Sequence, residues 1–156
     1  MKFSTKQDIE APIDYVFARV TDFDNFERQG LRRGIEISRE DPQGVPGLGS
    51  KWKIRAKFRG KPRNVASEIC EFDPPSGLRV ESESGGLGID SRVQLLELSP
   101  KRTRLTATVD LNPHSLTGKL LVQSLKFAKS TLSARMAKRA GDFAKSVEEG
   151  YRNESR

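Results

Sequence analysis

The sequence has one cysteine, Cys70, and one histidine, His114. A lone thiol excludes an internal disulfide, and together with a lone imidazole it cannot supply a metal cluster, so no metal and no other cofactor is expected. No apolar run approaches the ~20 residues that span a bilayer. The opening Met1–Lys6 segment lacks the apolar block of a signal peptide, and a cytoplasmic protein is expected. Gly-x-Ser-x-Gly, paired-carboxylate and phosphate-cradling glycine patterns are all missing, which removes the commonest hydrolase and nucleotide-binding readings. Acidic residues are outnumbered by Lys and Arg, 21 to 28, leaving a formal charge of +7. That excess favours encounter with acidic partners and says nothing of the fold.

Proline is also absent from Thr117 to Tyr151, and there the apolar residues are spaced for a helix. Leu121, Leu125, Leu132, Met136, Phe143 and Val147, with Ala128 and Ala140, recur at intervals of 3 and 4 and share one side. About 33 helical residues would be ~50 Å long, against a radius of gyration of ~15 Å for a compact chain of this size. Such a helix crosses the whole domain, and the preceding residues must supply the surface it lies on.

Those residues read mostly as strands. Phe3, Thr5, Gln7 and Ile9 alternate with polar neighbours. Ala11-Pro12-Ile13-Asp14 then opens a short amphipathic helix carrying Ile13, Val16, Phe17 and Val20, with Pro12 near the first turn. Asp22 to Phe26 predicts a second short helical turn, and Arg28 to Gly34 a basic connection. From Ile35 the period is 2: strands are expected at Ile35–Ser38, Lys51–Phe58, Val65–Phe72, Leu78–Glu83, Ile89–Leu98 and Thr103–Asn112. Turns 10–13 residues apart suit hairpin-linked antiparallel strands. The expectation is one α+β domain over residues 1–152, with residues 153–156 a frayed tail. A curved antiparallel sheet of about seven strands grips the long C-terminal helix, with two short helices after the first strand.

The order of elements, with Ala11-Pro12-Ile13-Asp14-Tyr15-Val16-Phe17, Asp22-Phe23-Asp24-Asn25-Phe26 and Glu71-Phe72-Asp73-Pro74-Pro75-Ser76-Gly77-Leu78, resembles the START/birch-allergen superfamily. Bacterial members are often described as polyketide cyclase/dehydrase or lipid-transport proteins. The resemblance covers essentially the whole chain and rests on punctuation motifs, which mark fold better than activity. It implies a helix-grip fold with a cavity between sheet and helix for lipids, polyketides or other apolar ligands. Some such proteins are cyclases or hydrolases, and others are adaptors.

Candidate site residues follow from both readings. The first half of the long helix is apolar on more than one face, since Leu116, Leu120 and Phe127 lie away from the main stripe. The plain interpretation is packed core. The sharper one is a cavity lined by Leu116, Leu120 and Phe127 with Trp52, Ile54 and Phe58, and with His114, Arg32, Arg33, Arg59, Lys61 and Arg63 around the mouth. Cys70 reads as a small core residue. Lys51, Lys53, Arg55, Lys57, Arg59, Lys61 and Arg63 recur at every second position, and at least the first five are expected on one strand face. That row is either a solvated face neutralised by Glu68, Glu81 or Glu83, or a docking surface for an anionic partner. No aromatic residue shares it, which argues against nucleic acid. The leading functional expectation is carriage of a small apolar or amphipathic ligand. The alternatives are an adaptor on ribosome or membrane and an aromatase/cyclase-type enzyme, for which no catalytic constellation is identifiable.

Overall fold

In the computed structural model, which describes residues 1–155, the alternating segments form one seven-stranded antiparallel sheet. The chain runs β1 (Lys2–Ile9), α1 (Ile13–Val20), α2 (Phe23–Arg32), β2 (Glu36–Glu40), β3 (Lys51–Phe58), β4 (Lys61–Asp73), β5 (Gly77–Ser84), β6 (Leu87–Ser99), β7 (Arg102–Pro113), α3 (Leu116–Lys126) and α4 (Lys129–Glu154). Spatial order is β1-β7-β6-β5-β4-β3-β2, so the first strand returns to pair with the last. Bulges at Ile69/Glu71 and Glu97/Ser99 interrupt the two 13-residue strands. Each adds a local bend and twist to the sheet. The helices pack on the apolar face of the sheet, and the other face is bare.

The two sides can be read off the register. Trp52, Ser67, Ser82, Ile89 and Leu111 are successive partners across β3 to β7, as are Ile69, Val80, Ser91 and Val109 across β4 to β7. These rows face the helices. The rows between them carry Lys53, Ala66, Glu83, Gly88 and Asn112, or Lys51, Glu68, Glu81, Asp90 and Asp110, and face outward.

Three expectations are corrected. The C-terminal helix is two helices: at Phe127–Ala128 the ladder tightens, Ala128 takes φ −105° and ψ 10°, and its N–H donates to Leu125 O at 3.0 Å. A tightened turn of this kind redirects a helix without proline. It sends α3 against Phe3, Leu87 and Leu111 through Val122 and Leu125, while Ala144 and Val147 of α4 pack with Ile9, Val16, Ile69 and Leu105. Second, α2 runs to Arg32 and absorbs most of the expected basic connection. Asp22 caps it, accepting from Asn25 N–H, and a side chain at Gly30 would run into Ile37, so the glycine lets the helix lie close on β2. Third, α4 continues through Glu154, so Asn153 and Glu154 of the expected tail are helical. Arg156 lies outside the described residues.

Candidate functional site

The buried apolar residues form two clusters. One centres on Ile9, Val16, Ile69, Leu105 and Val147. The other comprises Phe3, Leu87, Leu111, Val122 and Leu125. Contact networks in a domain of this size ordinarily give one contiguous core. Around the two clusters the inner face of the sheet carries half-buried Ile54, packed against the first cluster, half-buried Val65, and half-buried Ile89 and Val109, which with Leu121, Leu132 and Met136 of α3 and α4 pack against the second. Serines interrupt this apolar strip: Ser67 and Ser82 share a 2.7 Å hydrogen bond, and Ser84 and Ser91 lie in the adjacent rows. Hydroxyls at inner sheet positions forgo the burial gained by Val or Ile there.

Trp52 and Ile54 face inward as expected. Trp52 is buried against Phe23 of α2, with ring centroids 5.1 Å apart, and its indole N–H donates to Glu27 at 2.9 Å. Glu27 also accepts from Arg39, whose guanidinium meets Asp24 at 2.8 Å and Asp41 at 3.3 Å. Burial works against the Arg39 charge, but the Asp24 hydrogen bond and the charges of Glu27, Asp41 and Asp24 outweigh it and hold its proton more tightly than usual. This network ties α2 to β2 and β3. Trp52 is thus shared between the network and the core.

At the open end the chain turns in two residues, Arg59 at φ 54° and Gly60 at φ 77°, as a tight hairpin requires. The turn splits the row of cations. Lys51, Lys53, Arg55 and Lys57 remain outward on β3, but Arg59 leaves the strand, and Lys61 and Arg63 pair with Phe58 and Ala56 on the inward side. The expectation that Arg59 extends the outer row is therefore wrong, because a two-residue turn shifts the alternation. Arg63 lies 5.8 Å from the centre of the Phe58 ring, and Arg59 donates to Ser124 of α3 at 3.0 Å. The hairpin tip is clasped to α3 through that hydrogen bond.

Leu116, Leu120 and Phe127 do not line the expected cavity. They are 73, 58 and 94 % exposed, pointing away from the sheet. The rotation of α3 is set at its start: Ser115 accepts from Gly118 N–H, His114 N–H donates to Gly86 O, and a side chain at Gly118 would collide with the Gly86 carbonyl. With Val122 and Leu125 inward, the opposite stripe has no element to cover it. Phe58 is also largely exposed, at the hairpin tip. His114, expected beside inward residues, stands on the outer face beside Gly88, with Nε2 3.9 Å from Glu83.

Two concavities of about 900 and 600 Å³ are lined mainly by outward residues, the larger by Lys53, Ala66, Glu83, Gly88 and His114 among others and the smaller by Arg55, Asn64, Ala66 and Gly85 among others. Neither includes a helix residue. Their walls are charged and largely paired: Lys51 meets Glu68 at 3.4 Å, and Arg79 meets Asp90 at 2.9 Å and Glu81 at 2.6 Å. The Asp90 hydrogen bond leads in holding the Arg79 proton above its ordinary range. Glu36 and Glu40 stand opposite Arg55 and Lys51, so carboxylates border the basic row on both sides. Burial and the neighbouring Glu81 push the Cys70 thiol up, which keeps it protonated and unreactive at neutral pH. Among the described residues, no group of His, Cys, Asp and Glu is placed to hold a metal ion, and no helix is long and apolar enough to cross a membrane.

Solved structures share this fold at low identity. Protein TTHA0849 of Thermus thermophilus aligns with TM-score 0.67 and 18 % identity, covering 96 % of this chain and 99 % of that one. A norcoclaurine synthase of Thalictrum flavum aligns at 0.65 and 11 %, covering 96 and 95 %. The Zhui aromatase/cyclase of Streptomyces sp. R1128 aligns at 0.62 and 13 %, covering 95 and 93 %. No curated protein matches the chain in sequence. The sequence pattern of one family fits residues 1–148, nearly the entire length, and the chain belongs to that family, described as polyketide cyclase/dehydrase and lipid transport.

Proposed function

We propose that this protein binds a small amphipathic ligand between the sheet and helices α3 and α4. The tail lies on Ile54, Val65, Ile89, Leu132 and Met136, and an anionic or polar head sits near Arg59, Lys61 and Arg63. The observation that carries the reading is the divided core: an apolar strip set with serines stays half-buried at the margins of two separate clusters. A chain selected for packing alone would fill that strip, because each large side chain buried contributes about 1.5–3 kcal/mol. The inward turn of Lys61 and Arg63 at one end supplies the polarity of an amphipathic ligand. The family's description and its aromatase/cyclase neighbour support an apolar ligand class.

A cyclase-type reaction would need a free proton-transfer group over the strip. Its nearest material is the Arg39–Glu27 pair, and both members are committed to structural partners. Binding is the better-supported function. The test is native mass spectrometry of the purified protein with dodecanoate added. A one-to-one complex is expected, lost when the strip is filled by Ile89→Trp or Val65→Trp. A parent that takes up no dodecanoate, or filled variants that bind it equally well, would refute the reading.

A further inference from the structure

The stripe of α3 that nothing covers has a second, independent feature beside it. Leu116, Leu120 and Phe127 fall within about 40° of one another at 3.6 residues per turn, so they form one exposed apolar ridge with Phe127 at the bend. Lys119 and Lys126 flank the ridge on one side, and Lys129 follows the bend. On the other side is Ser124, one turn beyond Leu120, where Arg59 anchors the β3–β4 hairpin with Phe58, Lys57, Lys61 and Arg63. The two segments meeting at that hydrogen bond are the two that hold no acidic residue: none occurs between Lys51 and Ser67, and none between Leu111 and Gly141. Among the described residues, no carboxylate pairs with Lys57, Arg59, Lys61, Arg63, Lys119, Lys126 or Lys129. On the outer face of the sheet, by contrast, cations and carboxylates pair across strands.

We propose that this ridge and hairpin tip form a docking surface for an anionic lipid bilayer, with Leu116, Leu120, Phe127 and Phe58 entering the headgroup boundary and the seven cations meeting lipid phosphates. An amphipathic helix with exposed large apolar residues and flanking lysines has the composition of an interfacial element, and its binding combines apolar burial with attraction to anionic headgroups. A second copy of the chain is a poor occupant, since a two-fold contact would set the same unpaired cations against each other. RNA is a poorer occupant because half of the apolar residues, Leu116 and Leu120, offer no face on which a base stacks, leaving only Phe58 and Phe127 for stacking. The surface shares Arg59, Lys61 and Arg63 with the rim of the proposed ligand site, but its ridge of Leu116, Leu120 and Phe127 has no part in that site, so variants of the ridge separate the two assignments.

The experiment is co-sedimentation of the full chain with vesicles of phosphatidylcholine alone or mixed with phosphatidylglycerol, over rising salt. The parent is expected to bind the mixed vesicles at least about tenfold more tightly than the neutral ones, with binding falling steeply with salt. The double variant Leu120→Gln, Phe127→Asp should lose at least about tenfold in partition. Its thermal melting and its uptake of dodecanoate should be unchanged. Arg59→Glu with Lys126→Glu should abolish the preference for anionic vesicles. Three results would overturn the proposal: no binding of the parent to mixed vesicles at low salt; equal binding by the double variant; or retention on poly(U) or self-association, lost in the same variants, in place of vesicle binding.

Discussion

The two C-terminal helices make an instructive pair. α4 is an ordinary amphipathic helix: Ala144 and Val147 are sealed into the larger core, and Lys138, Asp142 and Lys145 face water. α3, only a bend away, buries Val122 and Leu125 on one side while exposing three large apolar residues on the other. Both satisfy the same local rule, an apolar stripe at intervals of 3 and 4. They differ in what the sheet offers them, since α4 rests broadly on β1 and on α1, whereas α3 meets the sheet chiefly at β7, with Phe3 and Leu87 beside it. Apolar periodicity specifies a helix. The covering surface decides which of its apolar residues become core.

The contrast predicts opposite responses to one substitution. Val147→Asp should cost about 3–5 kcal/mol by burying an unpaired charge, enough to erase a cooperative urea transition or nearly so. Leu120→Asp should change the same transition by less than about 0.5 kcal/mol. Comparable losses at the two sites would mean that α3 is covered in solution. Next in size is Gly118→Val, which drives a side chain into the Gly86 carbonyl. A loss of about 1–3 kcal/mol is expected, with amide exchange accelerated in α3 and unchanged in the far half of α4. Trp52→Phe keeps the ring against Phe23 but deprives Glu27 of the indole donor, and should cost about 1 kcal/mol, read as a shift in the urea midpoint.

The smallest effect is electrostatic. Asp8 on β1 accepts from Arg104 at 2.9 Å, and that hydrogen bond, opposed by burial and aided by the charges of Arg104 and Arg102, lowers its pKa. A depressed carboxylate contributes stability above its unfolded value, and the contribution is lost as pH falls through the folded value. The loss therefore belongs below about pH 4, and a pH series of melting temperatures should show it in the parent and not in Asp8→Asn.

Much of the architecture was legible because it rests on local pattern. Alternation at Lys51–Phe58 and helical spacing at Ile13–Val20 each named their element, and punctuation at Asp73-Pro74-Pro75-Ser76-Gly77 closed β4. The site was legible in part. Ile54 faces inward through period 2, but Val65, Ser82 and Ile89 were unmarked, because only pairing across strands brings them onto one face. Four signals misled. The bend at Phe127 carries no proline or glycine, so nothing in the spacing disclosed it. The rotation of α3 is fixed by a backbone approach at Gly86, outside the helix altogether. The row of cations ran through Arg59-Gly60, where a two-residue turn sends the next alternate positions to the other side. Pro113-His114-Ser115 leads into α3 in sequence, yet His114 ends on the outer face, because its N–H is held by Gly86 O.

Methyl NMR of the labelled protein during addition of dodecanoate tests the central claim most directly. Methyl resonances of Ile54, Val65, Ile89, Leu132 and Met136 should shift together and saturate, while those of Leu116 and Leu120 on the outward ridge stay in place. Shifts confined to Leu116 and Leu120, or none at the inner positions up to saturation, would contradict a binding space between sheet and helices.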